Sequence, residues 1–281
     1  MNTMQVRRAL IAALSILVLA GCGGRDRSNT ITIKGSDTMV ILGQRWAEAY
    51  MAEHEGAVIQ VTGGGSGTGI AALINGTTEI CQASRQMKDK EQEQMREKYG
   101  APAHEIMVAK DGLAVYLHEQ NPVKELTIAQ LDAIYTGEIT HWRQVGGPDR
   151  PITLYGRENS SGTYEYFKER VLEGADFAAA VQTLPGTAAV VNAVAQDPNG
   201  IGYGGAAYAK GVFDCAIKET AESPAVLPTE ATVRDGSYPI SRGLYYYTRE
   251  APQGPMQAFI GFALSDEGQQ IVTQVGYFPI D

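Results

Sequence analysis

The sequence predicts an α/β protein, because strand-like and helix-like segments alternate almost from end to end. A second observation sharpens this. One local unit, a short strand, a loop of glycine and hydroxyl residues, then a helix start, recurs near Ser36, Ser66 and Ser161. The third is size and composition: 281 residues, 44% hydrophobic and 20% charged, suit one large globular domain or two modest lobes. Alternation of this kind argues for parallel sheets, in which ligands sit at the carboxyl ends of the strands.

The first 21 residues stand apart from the fold. Arg7 and Arg8 form a basic start, and Ala9 to Ala20 is an apolar run of signal-peptide length, short for a spanning helix. Leu19–Ala20–Gly21–Cys22 resembles a bacterial lipobox, which implies that Cys22 becomes the lipid-bearing first residue. The plainer alternative is an ordinary signal peptide with a chance cysteine. Residues 22–30 read as a tether. No second apolar run is long enough to cross a membrane, so the mature chain is expected to be anchored, not spanning. Export would leave Cys81 and Cys215, and the sequence does not say whether they pair.

Thr30 to Ile33 alternates as a strand, and Met39 to about His54 is a helix with Leu42, Trp46, Ala49 and Tyr50 on one face. Between them lie Ser36, Asp37 and Thr38, each a natural N-cap and equally a donor at a helix start. Ala57 to Val61 is the next strand. The run Thr62 to Gly69 is rich in glycine and leads into a short helix. It lacks the Gly-Lys-Ser/Thr close of a nucleotide-binding loop, but it opens the backbone for close approach of a ligand. Ser66 sits in it. Thr78 to Arg85 reads as a strand ending on Ser84 and Arg85, and Lys88 to Lys98 as a polar surface helix. Ile106 to Ala109 and Leu113 to Leu117 read as two strands, and Thr127 to Tyr135 as a helix. Pro151 to Tyr155 is a strand, followed by Arg157–Glu158–Asn159–Ser160–Ser161–Gly162–Thr163 and a helix. Gly186 to Ala195 is a helix, Ile201 to Gly204 a strand, and 215–236 irregular surface structure. Tyr238 to Thr248 contains a long strand, and Pro255 to Gln274 one final helix.

The Arg157–Thr163 segment carries the chemistry. A helix start offers unpaired N–H groups and about half a positive charge. Gly162 removes a blocking side chain, Ser161 and Thr163 have hydroxyls, and Arg157 can fork two N–H bonds onto one tetrahedral oxyanion. The net charge is −9, and losing the two leader arginines makes it about −11. Nothing here favours nucleic acid, which asks for a basic stripe. The four histidines, His54, His104, His118 and His141, lie outside these loops. Neither a nucleophile–base pair nor a metal cluster is legible, so no cofactor or metal is expected. A serine phosphatase using Ser161 or Ser66 is the alternative from another class. Trp46 and Trp142 are expected in the core, and one of Tyr245 to Tyr247 in a cleft.

Seven segments in one order carry a family resemblance: Gly35–Ser36–Asp37–Thr38, Gly64 to Gly67, Ala83–Ser84–Arg85, Leu131 to Trp142, Arg157 with Ser161–Gly162–Thr163, Tyr238 to Tyr245, and Leu264 to Gln269 with Gly276–Tyr277. They resemble the substrate-binding lipoprotein of the bacterial high-affinity phosphate ABC transporter, the PstS family, over roughly Ile31 to Phe278. The resemblance implies a two-lobed periplasmic binding protein of type II-like form with phosphate in the interlobe cleft. It implies a monomer serving membrane permease subunits, with no enzymatic activity. We place one lobe over 31–112 plus 237–281 and the other over 113–236.

By the same resemblance Thr38 and Ser66 would bind phosphate from the first lobe, and Arg157, Ser161, Gly162 and Thr163 from the second. Ser36, Asp37, Ser84 and Arg85 are further candidates. Some members have aspartate where this chain has Arg85; it accepts the proton of hydrogen phosphate and repels sulfate. Asp37 is the expected replacement acceptor, with Glu79 behind it. Some members also brace the arginine with an acid at the position of Asn159, where this chain offers Glu158 beside it. Sulfate or another small oxyanion, or a sensor or scavenger role, are the alternatives within the fold.

Overall fold

A computed structural model describes residues 30–280. The leader, Cys22 and the tether as far as residue 29 lie outside the described residues. The strands are β1 (Thr30–Gly35), β2 (Val58–Thr62), β3 (Ile80–Ala83), β4 (His104–Leu117), β5 (Glu125–Thr127), β6 (Thr153–Arg157), β7 (Gln182–Leu184), β8 (Gly200–Gly205), β9 (Phe213–Lys218) and β10 (Ser241–Thr248). The helices are α1 (Val40–Glu53), α2 (Ser66–Asn75), α3 (Asp89–Tyr99), α4 (Ile128–Thr136), α5 (Gly162–Arg170), α6 (Thr187–Gln196), α7 (Glu230–Arg234), α8 (Gly254–Leu264) and α9 (Asp266–Val275).

The architecture is α/β and two-lobed, but the sheet is mixed, not parallel. Its path is β2–β1–β3–β10–β4–β8–β6–β7, with β9 on β4 and β5 on β9. The βα units keep parallel pairs, β1 with β3 and β6 with β7 and β8. The exceptions are the long strands. β10 runs antiparallel to both β3 and β4, and β8 and β9 run antiparallel to β4. β10 returns beside β4 in the opposite direction, which the alternation of elements does not reveal.

The buried apolar residues among those described form four clusters. Ile33, Leu42, Trp46, Ile80, Val108, Leu244 and Phe259 form one cluster. Leu113, Val115, Leu131, Trp142, Phe167, Ile201 and Ile240 form another. Both tryptophans are fully buried, as expected, and each indole N–H reaches a carbonyl: Trp46 donates to Gly268 (2.8 Å) and Trp142 to Asn199 (3.0 Å). Phe167 stacks on Tyr203 with ring centroids 4.0 Å apart, which fixes the angle of α5 on the sheet. On α1 the buried partner of Leu42, Trp46 and Tyr50 is Ala47, while Ala49 is only half-buried.

Three expectations need correcting, and one open question is answered. The two strands predicted over 106–117 are one: Asp111 pairs with Arg242 and Gly112 with Ser241, so the polar triplet Lys110–Gly112 stays in the ladder. The last helix is two, broken at Ser265, whose hydroxyl accepts the Gly268 N–H (3.2 Å) as the N-cap of α9. The stretch 215–236 begins in the buried strand β9, with Cys215 and Ile217 in the core. Cys81 and Cys215 are free thiols in separate clusters, so no bridge joins them. The edge strands β5 and β7 are too short to signal themselves.

Asp214, on β9, has its Oδ1 buried without a partner among the described residues, and burial pushes its carboxyl up to about 6. A folded-state value above the unfolded one favours the folded chain only while the acid is protonated. That contribution is complete below about pH 4 and lost as the pH rises through about 6. Asp214→Asn should therefore raise the melting temperature at pH 8, with the gain shrinking towards pH 4. Equal gains at both pH values in thermal unfolding would contradict this.

Candidate functional site

Three helical starts converge at the tips of β1, β2 and β6. After β1 the backbone enters a single 3-10 turn, Asp37–Met39, that leads into α1. After β2 the glycine run feeds α2, with Gly65 at φ 89° as its N-cap. After β6 comes α5, capped by Ser161, whose Oγ accepts the Thr163 and Tyr164 N–H groups. Ser36, Thr38, Ser66, Ser84, Arg157, Ser161 and Thr163 are all buried. That is unusual for such polar side chains, and each must find partners.

They find them in one another. Thr38 Oγ1 lies 3.0 Å from Thr163 Oγ1. Ser36 Oγ donates to Ser84 Oγ (2.9 Å), which lies 3.4 Å from Ser66 Oγ. Ser84 N–H donates to Ser66 Oγ (3.1 Å). The α2 and α5 starts touch: Gly67 N–H donates to Ser160 O (2.9 Å). A Cβ on Gly162 would sit 2.3 Å from Ser66 Oγ and 2.8 Å from Ser84 Oγ, so only glycine fits there. Gly65 is held to the same standard by Ser160 O, at 2.4 Å.

Arg157 is 2% exposed, and every arm of its guanidinium is engaged. Nη2 donates to Asp37 Oδ2 (2.8 Å) and Glu158 Oε1 (3.3 Å), Nε to Glu158 Oε2 (3.1 Å), and Nη1 to Thr187 Oγ1 (2.9 Å). Asp37 holds a second donor, the Gly64 N–H at 2.8 Å on Oδ1. A carboxylate has about four acceptor positions, so Asp37 retains capacity. Glu158 and Asp37 together brace the arginine where Asn159 cannot.

Two candidates sit elsewhere. The Arg85 fork is closed on Glu91 (2.7 and 2.8 Å), with Nη1 also on the Gln86 carbonyl (2.8 Å). Burial and Arg85 act on Glu91 in opposite directions, and Glu91 ends below its ordinary carboxylate value. Arg85 therefore braces α3 and does not reach the hydroxyl cluster. Glu79 bonds Thr32 N–H (2.9 Å) near the start of β1, at the strand end away from the cluster. Tyr245 lines a crevice beside Arg85 and Arg242, whereas Tyr246 and Tyr247 are core.

Sequence reasoning missed Thr187 and the pair Asp111–Arg242. Arg242 places Nε (3.0 Å) and Nη2 (2.8 Å) on Asp111 Oδ2, and Nη2 also donates to Thr163 Oγ1 (3.1 Å). Burial raises the Asp111 carboxyl, against the pull of Arg242 and the Ala206 N–H. Asp111 sits in the polar triplet Lys110–Gly112, which reads locally as a loop and hides the pair. The ensemble is rich in donors. It contains buried hydroxyls, converging helix starts and a braced guanidinium, which is the chemistry of an oxyanion site.

Comparison with known proteins agrees in kind. A profile described as a PBP superfamily domain matches residues 22–267. The chain is 37% identical over 270 residues to the phosphate-binding protein PstS of Pseudomonas aeruginosa, covering 90% of this chain and 84% of that one. It is 31% identical to PstS of Staphylococcus epidermidis over 287 residues, covering 96% and 87%. Among solved structures, one from Clostridium perfringens with bound phosphate, assigned as a phosphate ABC transporter substrate-binding protein, superposes with a TM-score of 0.81. It shares 32% identity and covers 90% of this chain and 100% of that one. An ABC-type phosphate transport receptor from Vibrio cholerae gives 0.72 at 28% identity, covering 89% and 100%.

Gly162→Ala should force α2 and α5 apart at their starts. Overpacking of this kind costs roughly 1–3 kcal/mol, so affinity for a small tetrahedral anion should fall about tenfold or more. Unchanged affinity in titration calorimetry would show that the two starts need not meet.

Proposed function

The chain belongs to the PstS family of phosphate-binding proteins within the PBP superfamily, and on that premise we propose that the hydroxyl cluster is its phosphate site. It is the substrate-binding component of a phosphate ABC transporter, capturing inorganic phosphate for a membrane permease. Thr38 and Ser66 bind from the lobe formed by 31–112 and 237–281. Arg157, Ser161, Gly162 and Thr163 bind from the lobe formed by 113–236. Ser84, bonded to Ser36 and close to Ser66, joins them. Arg85 does not, since Glu91 holds its fork.

The observation that carries this reading is the meeting of the α2 and α5 starts at Gly162, with Arg157 buried behind them. Phosphate is small and strongly hydrated. To give up water it needs a full set of donors already aimed at it. The hydroxyls that now face one another can each turn a hydrogen onto its oxygens, and hinge closure brings the two halves of the set together. Capture without chemistry is the role of the receptor. The Ser161 hydroxyl serves as a helix cap, not as a nucleophile.

Two further parts of the reading rest on the sequence. Lipidation at Cys22 would hold the protein to a bacterial membrane on its extracytoplasmic side, close to the permease. No helix among the described residues is long and apolar enough to cross a membrane. The protein works as a monomer, since the proposed donor set comes entirely from one chain. Asp37 is the acceptor for the phosphate proton, and its spare lone pairs beside Arg157 support that role.

Arg157→Ala should weaken phosphate binding by more than about a hundredfold, because losing a desolvated charge-assisted contact costs roughly 2–5 kcal/mol. An unchanged dissociation constant in calorimetry would remove Arg157 from the site. Sulfate, which lacks a proton to donate at neutral pH, should not displace phosphate at equal concentration. If it does, Asp37 is not a discriminating acceptor.

A further inference from the structure

The strongest group outside the proposed ligand set is the ion pair at the crossing of the two long strands. Asp111 on β4 and Arg242 on β10 are register partners, and both are more than nine-tenths buried. Arg242 spends Nε and Nη2 on one oxygen of Asp111. Its guanidinium also lies 5.4 Å from the Tyr166 ring centroid, and the Tyr166 hydroxyl donates to the Ser241 carbonyl (2.6 Å). Arg242 is thus held from three sides: by Asp111, by the α5 aromatic ring, and by its own strand.

Held in this way, its Nη2 also reaches Thr163 Oγ1 at 3.1 Å. Arginine has no acceptor, so the threonine oxygen must accept in that bond. One lone pair of Thr163 is then taken from the hinge side. Its own hydrogen is left for the other side, where Thr38 Oγ1 lies 3.0 Å away. Donation into an oxygen also polarises its O–H and strengthens it as a donor.

We propose that Arg242, fixed by Asp111, is a positioning residue that sets Thr163 as an oriented, strengthened hydrogen-bond donor to the bound anion. It acts without touching the anion itself. The proposal rests on Thr163 being a phosphate ligand, as argued above. It links the hinge to the site, because the pair that orients Thr163 also joins the strands on which the lobes move.

The alternative is that the pair merely ties β4 to β10. A binding cycle separates the two. The variants are D111N/R242M, T163V and the triple variant, each titrated with inorganic phosphate and checked by thermal unfolding. The paired substitution removes both charges together, so that no buried ion is left alone. T163V should weaken binding about tenfold. D111N/R242M should do the same in the native background and change affinity less than twofold in the T163V background. Equal losses in both backgrounds would reduce the pair to a structural tie and overturn the inference. An unchanged affinity for T163V alone would instead overturn the placement of Thr163 in the site. If D111N/R242M fails to fold, R242K serves in the same cycle. Lysine keeps the charge on Asp111 with a donor that cannot fork, and its loss should again vanish in the T163V background.

Discussion

A buried cation is the constraint that the rest of the cleft answers to. Arg157 has almost no contact with water, and a lone guanidinium in such a place would cost several kcal/mol. It is tolerated because Asp37, Glu158 and Thr187 converge on it from three separate segments. These bonds fix the loop after β1, the tip of β6 and the start of α6 relative to one another. The hydroxyls of Thr38, Ser161 and Thr163 ride on the same loops. Their convergence is therefore a consequence of satisfying Arg157. It also means that most of the positive charge is already balanced before an anion arrives. On the proposed reading, binding then draws on N–H and O–H dipoles that need no rearrangement of charge, which suits a receptor that must release its guest as well as hold it.

The contacts between the two groups of loops are mainly polar. They include the Gly67–Ser160 backbone bond, the Asp37–Arg157 pair, the Thr38–Thr163 and Arg242–Thr163 contacts, the Tyr208 hydroxyl on the Asp37 carbonyl and the Lys88–Glu165 ion pair. Apolar surface instead packs mainly within separate clusters, the two largest of them on either side. Of the polar contacts, the exposed Lys88–Glu165 pair contributes little, and the hydroxyls exchange readily with water. A ligand bridging both sides needs only modest differential affinity to move the balance towards the closed form.

Much of this could be read from the chain itself. Ser-Gly-Thr after a strand, the glycine run before α2 and Gly-Ser-Asp-Thr before α1 are local signals, and local chemistry is what capping and helix starts depend on. Trp46 and Trp142 were placed in the core by amphipathic spacing alone. What could not be read is set by distant partners. Asp111 belongs to a polar triplet that resembles a loop until β10 lies beside it, and the antiparallel return of β10 is invisible in local alternation. Arg85 looked like a ligand because it follows Ser84. Glu91, six residues on, claims it through a fold of the chain into α3. Thr187 carried no signal, since a threonine at a helix start is ordinary.

The central claim is that helix starts and hydroxyls from both lobes enclose one dehydrated phosphate. A crystal structure grown with inorganic phosphate tests it most directly. It should show a tetrahedral ion with its oxygens within about 2.7–3.1 Å of donors on Thr38, Ser66, Arg157 and Thr163, and no water between. An ion bound elsewhere, or one held by donors from a single lobe, would contradict it.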